Sequence, residues 1–298
     1  MLAGVAERWR ALDPLLPAPA LAADVAELAV PGAVGAPRRL SPAPGQAPPL
    51  WFAAHRFSLR PLVAGPEVAG GLDRLLASWS ALLRADPVAA EEDSAAYVLV
   101  PSRDTAAVPT LLRHGLVPYV VVAVRAVARP VAGHATVVVR RAGLGDLGVL
   151  GGFALAQFRS ELEFGTAVDR PDAAARVREE MAGLRDGADP WVWLAEVGGR
   201  VVGTVSANRP EGNAWLAQFT DLPRVGYLRM ARVEASGRGA GVGAALVAAA
   251  HRAFDQAGVD AALLHYSLLN PRSGPFWHRM GYRPLWTGWK VAPAAALR

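Results

Sequence analysis

Two rhythms of apolar residues alternate along this chain. Leu72, Leu75, Leu76, Trp79 and Leu83 recur at helical spacing within residues 67–83, and Val242, Leu246, Ala249 and Ala253 do so within 242–256. Each set defines a helix with one apolar face. Runs rich in β-branched and aromatic residues predict strands at 50–59, 97–100 and 117–127. More follow at 136–140, 191–197, 200–207, 227–233, 261–269 and 285–291, and Gly198-Gly199 joins two of them as a tight hairpin. Helices are also expected at 5–12, over a segment ending at His114-Gly115, at 147–164, at 172–185 and at 276–280. Asp169 and Pro171 mark the start of the helix at 172–185 and Gly187 its end. Residues 31–49, crowded with Pro, Gly and Ala, read as a loop or linker.

Set side by side, the two halves share an order: strand, helix, strand, short helix closed by Gly, strand. Gly115-Leu116 holds in the first half the place of Gly281-Tyr282 in the second. An internal duplication accounts for this, although unrelated α/β domains repeat such a pattern too. With 298 residues, two domains are expected, 1–130 and 134–298, with the boundary near 129–133.

Composition narrows the function. Cysteine is absent, which excludes disulfides, thiolate metal sites and a cysteine nucleophile, and no metal site is expected. Apolar residues make up 52% of the chain, but Arg and Pro interrupt every candidate membrane span. Glu7 and Arg8 fall where a signal peptide needs its apolar segment, so a cytoplasmic protein is expected, with no membrane partner. The net charge of +5 is scattered, and Lys290 is the only lysine. A nucleic-acid binder gathers its charge into a stripe. Here nucleic acid is not expected, and a small anionic ligand fits as well.

The most informative stretch is Gly237-Arg238-Gly239-Ala240-Gly241-Val242-Gly243, between a strand and a helix. Glycines let a ligand approach the main chain, and the free amides of a helix's first turn form an anion site. Gly239-x-Gly241-x-x-Ala244 fits the dinucleotide fingerprint, but Leu268-Leu269-Asn270 at the end of the next strand lacks the acid that a ribose requires. The other fit is Arg238-x-x-Gly241-x-Gly243 after Val233. It resembles the pyrophosphate loop of the GNAT superfamily of acetyl-CoA-dependent N-acetyltransferases. Asn270, followed by Phe276-Trp277-His278-Arg279-Met280-Gly281-Tyr282, and the hairpin preceded by two helices are similar to the same family. The resemblance covers residues 134 to 293.

The resemblance implies an α/β fold: a mixed, mostly antiparallel sheet, flanked by helices, with a V-shaped splay between two central strands. A tandem arrangement would make the first half a degenerate copy. There, Gly65-Pro66-Glu67-Val68-Ala69-Gly70-Gly71 stands at the loop position, with Pro66 removing an amide donor and Glu67 adding repulsive charge. In the second half, backbone near Arg232, Val233 and Glu234 would hydrogen-bond the pantetheine arm. Amides of Arg238, Gly239, Ala240, Gly241, Val242, Gly243 and Ala244 would hold the pyrophosphate, and Asn270 and Trp277 would contact the cofactor beyond it. Acetyl-CoA would be the co-substrate, and an amine on a small molecule or protein the acceptor. A homodimer is compatible with this.

Acetyl transfer needs an unprotonated amine, a donor to the developing oxyanion and a proton for the leaving thiolate. The family often places a Tyr acid where this chain has Trp277, and an indole N–H is no proton source at neutral pH. Trp277 orients the sulfur while water, Tyr266 or Tyr282 protonates it, or the thiolate leaves unassisted, or catalysis is lost. Glu234 is the first candidate base, with Tyr227, His265 and Glu196 behind it; the alternative for Glu234 is a solvated strand-end carboxylate. Phe153, Gln157, Phe158 and Glu161 are candidates for the acceptor side. The rival function is a non-catalytic acyl-CoA-binding protein that retains the loop.

Overall fold

The computed structural model describes residues 1–21, 26–126, 137–182 and 191–298. In the first half these form α1 (Leu2–Leu12), β1 (Leu28–Val30), β2 (Ala33–Gly35), β3 (Arg38–Leu40), β4 (His55–Leu59), β5 (Leu62–Val63), α2 (Val68–Ala85), β6 (Ser94–Pro101), α3 (Val108–Arg113) and β7 (Val117–Arg125). In the second half follow β8 (Val138–Arg141), α4 (Leu147–Glu163), α5 (Ala173–Ala182), β9 (Trp191–Val197), β10 (Arg200–Asn208), β11 (Val225–Val233), α6 (Val242–Gln256), β12 (Ala261–Ser267), α7 (Ser273–Arg279) and β13 (Arg283–Val291).

Most elements stand where the periodicity puts them. Residues 31–49 are not merely a linker, because β2 and β3 lie within them; strands of three residues are too short to show a period. The run at 50–59 is extended pairing only from His55, and the run at 261–269 ends as a strand at Ser267. The expected boundary at 129–133, and the expected helix end at 183–187, lie outside the described residues.

Among the described residues, one ten-stranded sheet runs in the order β3-β4-β6-β13-β7-β12-β11-β10-β9-β8, with a separate sheet β1-β2-β5. The pairing is antiparallel except for β4 with β6 and β11 with β12. Each half therefore contains a parallel pair bridged by a helix, α2 in one and α6 in the other. The two last strands are exchanged. β13 lies against β6 of the first half, and β7 lies against β12 of the second. The exchanged strands also pair with each other, which makes the sheet continuous across the halves.

Directly opposed residues share a sheet face. On the face covered by α2 and α6, Val98, Val100, Val121, Ala123 and Trp289 are buried in two adjoining cores. On the opposite face, Val122, Val124, Leu263 and Trp286 pack under Val5 and Trp9 of α1. Among the described residues, no helix is long and apolar enough to cross a membrane.

Trp286, at the centre of β13, is fully buried, donates its indole N–H to the Phe219 carbonyl at 3.0 Å and meets Trp9 edge-on at 5.2 Å. Trp286→Ala is expected to cost about 3–5 kcal/mol of stability. Because β13 joins both halves, the loss should appear in a single denaturant transition reported alike by probes in each half. Two separate transitions would contradict the shared sheet.

Candidate functional site

The site begins where the second parallel pair parts. β11 and β12 pair only from Val225 opposite Ala261 to Leu228 opposite Leu264. Beyond that, β11 follows β10 to Val233, while β12 follows β7 until Ser267 stands opposite Val120. A bulge at Arg229 starts the divergence: Leu228 pairs with Ala207 and Met230 with Ser206, leaving Arg229 as the extra residue. The result is a V-shaped gap. The Glu234 amide donates to the Val202 carbonyl at 2.8 Å. By the two-residue alternation of a strand, the N–H and C=O of Val233 then face away from β10, toward the gap.

The loop from β11 to α6 passes the open end of this gap. Gly239 (φ +80°) and Gly241 (φ +76°) both adopt the left-handed conformation that a side chain resists. Gly241 is the N-cap of α6, and no side chain caps that helix. Its first-turn amides, with the positive end of the helix dipole, are left facing outward. Gly243 serves packing: a Cβ there would sit 3.2 Å from the Phe276 ring, so its absence lets α7 close against the start of α6.

A cleft of about 780 Å³ adjoins the loop. It lies between α4, through Gly148, Gly152 and Phe153, and the end of β11, through Arg232, Glu234 and Arg238. Small residues on α4 hold it open. Arg232 reaches across to α4 and donates to Ser160 Oγ at 3.0 Å. Burial, and then the neighbouring Arg238 charge, pull the Arg232 guanidinium below its usual range. Glu234 faces the same cleft but is committed elsewhere: Arg200 donates to its carboxylate at 2.9 Å, and both side chains are largely exposed. The sequence does not reveal Arg200 as the partner of Glu234, because the two meet only through the pairing of β10 with β11.

The structure brings Tyr266 and Trp277 into one cluster. Tyr266 lies on the part of β12 that has left β11, and Trp277 packs in α7 between Phe276 (4.9 Å) and Tyr282 (5.5 Å). Both are 7% exposed. Burial pushes the Tyr266 hydroxyl up, which keeps it protonated at neutral pH. Asn270 stands in the β12–α7 turn, where its side-chain oxygen accepts the Arg272 amide at 3.1 Å. Of the acceptor-side candidates, Phe153 lines the cleft, Phe158 packs against Trp51 at 5.6 Å, and Gln157 donates to Glu161 at 2.5 Å.

On the face opposite α6, His265 is the first β12 residue beyond the last β11 pair. Its Nδ1 is 3.0 Å from the Tyr227 hydroxyl, Trp215 stacks on its ring at 6.1 Å, and Phe219 meets it edge-on at 5.6 Å. Burial lowers its pKa to about 4 and raises that of Tyr227 to about 12, so both are neutral at pH 7. Residue spacing gave no sign of Trp215 or Phe219 beside this histidine. Both come from the short turn Ala214–Gln218 and the residue after it, which fold back over β11.

The gap, the uncapped helix start and the adjoining cleft all lie in the second half of the chain. Residues 155–282 match the family model described as the Acetyltransferase (GNAT) family. A GCN5-related N-acetyltransferase from Sphaerobacter thermophilus is similar with a TM-score of 0.53 and 16% identity, over 88% of this chain and 77% of that one. An acetyltransferase of the GNAT family from Colwellia psychrerythraea gives 0.50 and 12%, over 78% and 76%. A glucosamine N-acetyltransferase region of a fungal multi-domain β-N-acetylglucosaminidase gives 0.52 and 14%, over 87% of this chain and 31% of that one. At such identities the likeness is one of fold. No curated protein matches the chain.

A second buried histidine, His251 on α6, lies 3.2 Å from the Tyr282 hydroxyl and has its pKa lowered to about 3, chiefly by burial and then by Arg125. In the unfolded chain both histidines take up a proton near pH 6.5, whereas the folded protein withholds it until about pH 4 or 3. Stability should therefore fall as pH drops below 6.5, by about 1.4 kcal/mol per pH unit for a fully buried histidine. Urea midpoints from pH 7 to 4 measure this slope, and His251→Leu is expected to remove about half of it. An unchanged slope would mean that His251 titrates normally in the fold.

Proposed function

We propose that the protein transfers an acetyl group from acetyl-CoA to an amine on a small molecule or protein. The observation that carries this reading is the uncapped start of α6, with Gly239 and Gly241 in left-handed conformations, set at the open end of the β11–β12 gap. Amides from Arg238 to Ala244 would grip the pyrophosphate, and the permanent charge of Arg238 adds to their field. The outward backbone of Arg232–Glu234, Val233 above all, would pair with the pantetheine arm as an added strand. Asn270 and Trp277 would flank the cofactor beyond the loop.

The thioester supplies an activated acyl carbon; the chain supplies geometry and protons. The Val233 N–H is aimed where an oxyanion would develop. Tyr266, neutral and facing His278 of α7 at 6.4 Å, is the hydroxyl suited to protonate the departing thiolate, a task that the indole of Trp277 cannot perform. Glu234, held by Arg200, is suited to attract a cationic amine, and its role as base depends on release of that pair. The reading places the enzyme in the cytoplasm, with no nucleic-acid or membrane partner, and is compatible with a homodimer.

Two substitutions test the loop. Gly241→Glu puts bulk and negative charge where the pyrophosphate would lie, and acetyl-CoA binding measured by calorimetry should weaken at least about a hundredfold. Trp277→Phe should leave that affinity largely intact. Equal affinity in Gly241→Glu and the parent would discard the loop assignment. Release of free thiol with an amine panel then separates the enzyme from an acyl-CoA-binding protein, for which binding without release is expected.

A further inference from the structure

On the face of the sheet covered by α2 and α6, the central strands are sealed: Val98, Val100, Val121 and Trp289 are all under 5% exposed. The opposite face of the same strands is not. Tyr97 and Leu99 of β6, Tyr119 and Val120 of β7, and Lys290 of β13 all remain partly exposed in the middle of a ten-stranded sheet. The register orders them into rows. Ser267 of β12 stands opposite Val120, Val120 opposite Gly288, and Gly288 opposite Leu99. One step further along the strands, Lys290 stands opposite Tyr97. A row of partly exposed side chains thus runs from the β11–β12 gap across three strands to Lys290. At about 4.8 Å per strand, that end lies on the order of 10 Å from β12.

The far end of this row is cationic. Lys290, the only lysine, lies 5.2 Å from the centre of the Tyr119 ring and donates to the Gly165 carbonyl, in the loop between α4 and α5. Arg56, on the same face of β4, covers the Phe52 ring at 4.5 Å. Phe52 meets Tyr97 at 5.8 Å, and Tyr97 meets Tyr119 at 5.7 Å, so both cations border one aromatic patch. Among the described residues, neither cation has a carboxylate partner. The acids of the adjoining chain, Asp93 and Glu91, are bound to Arg170 and His55. The Tyr97 hydroxyl accepts the Ala53 amide at 3.2 Å, which leaves its own proton free to donate. Burial raises both tyrosine hydroxyls, so they remain donors at neutral pH. Two half-buried cations and a neutral hydroxyl donor, with no carboxylate bound to either cation among the described residues and Asp93 already paired with Arg170, suit an anionic guest.

We propose that Arg56 and Lys290, with Tyr97 and Tyr119, form a binding site for the anionic group of a small acceptor whose amine reaches the β11–β12 gap along this face of the sheet. The proposal rests on the acetyltransferase reading for the role of that acceptor, but the anion site can be tested without turnover. It narrows the acceptor to amines that also carry a carboxylate or phosphate, held on the order of 10 Å from the gap by residues of both halves.

A single lysine makes the site directly observable. Protein labelled with 13C-lysine gives one side-chain ε-carbon signal, which is followed while glutarate or inorganic phosphate is added, with and without CoA. A saturable shift with either anion is expected, glutarate distinguishing a carboxylate site from a phosphate site. Arg56→Gln should weaken it about tenfold, the consequence of losing one charge-assisted contact. A shift that stays linear with anion concentration, or that Arg56→Gln leaves unchanged, would overturn the proposal. Should Arg56→Gln fail to fold, the parent titration decides alone. Saturable anion binding without thiol release from any amine would keep the site and remove the acetyltransferase reading; release without saturable anion binding would do the reverse.

Discussion

The pairing of β7 with β13 is the constraint on which the rest of the molecule depends. Each of these strands belongs in sequence to one half and lies against the parallel pair of the other. Their mutual ladder closes what would otherwise be two exposed sheet edges. It also brings side chains from both halves onto one face. Lys290 arrives beside Tyr97, and Trp286 beside the Phe219 carbonyl, only because the two ends of the chain are crossed. The helices α4 and α5 are fixed by the same arrangement. The Val168 amide donates to the Leu50 carbonyl at 2.8 Å, and Arg170 and Arg176 bind Asp93 and the Pro48 carbonyl, all in the first half.

The two halves use similar elements differently. In the second half the parallel pair parts and leaves a gap. At the corresponding place in the first half, between the chain after β4 and the end of β6, α1 fills the space. Trp9 is 2% exposed, Arg8 pairs with Asp104, and these with Pro61 and Pro101 enclose a cavity of only about 10 Å³. The start of α2 is also covered. A Cβ on Gly71 would lie 3.1 Å from the Gly32 carbonyl in the β1–β2 turn. Pro66 and Glu67 already made an anion site unattractive there, and the packing of α1 makes the gap itself inaccessible.

How much of this was legible follows from how far apart the causes lie in the chain. Local signals were clear. The glycines from 237 to 243, the spacing from Asn270 to Tyr282 and the hairpin at Gly198-Gly199 all act within a few residues of themselves, and their elements stand where expected. The splay followed from the family resemblance, and the register confirms it. The strand exchange was not legible, because β7 and β13 have the same periodicity whichever sheet they join. The Glu234–Arg200 pair and the Trp215–His265 stack were hidden for the same reason: each forms only after distant strands are in register. The short strands β1, β2, β3 and β5 leave no period at all.

A sheet of ten strands separates the molecule into two faces, and under the proposed function each face has its own task. The face with α6 and α7 grips the donor through main-chain nitrogens, which any sequence could supply provided that glycine allows the turn. The other face meets the acceptor and must distinguish it by side chains; there the chain has placed His265, Tyr119, Lys290 and Arg56. Only a gap in the sheet joins the two, and Arg229 opens one by adding a single residue to β11 opposite an unbroken β10. A bulge of one residue costs little pairing energy, since β11 keeps its ladder with β10 on both sides of it. Specificity on one face can therefore be altered without disturbing the grip on the other.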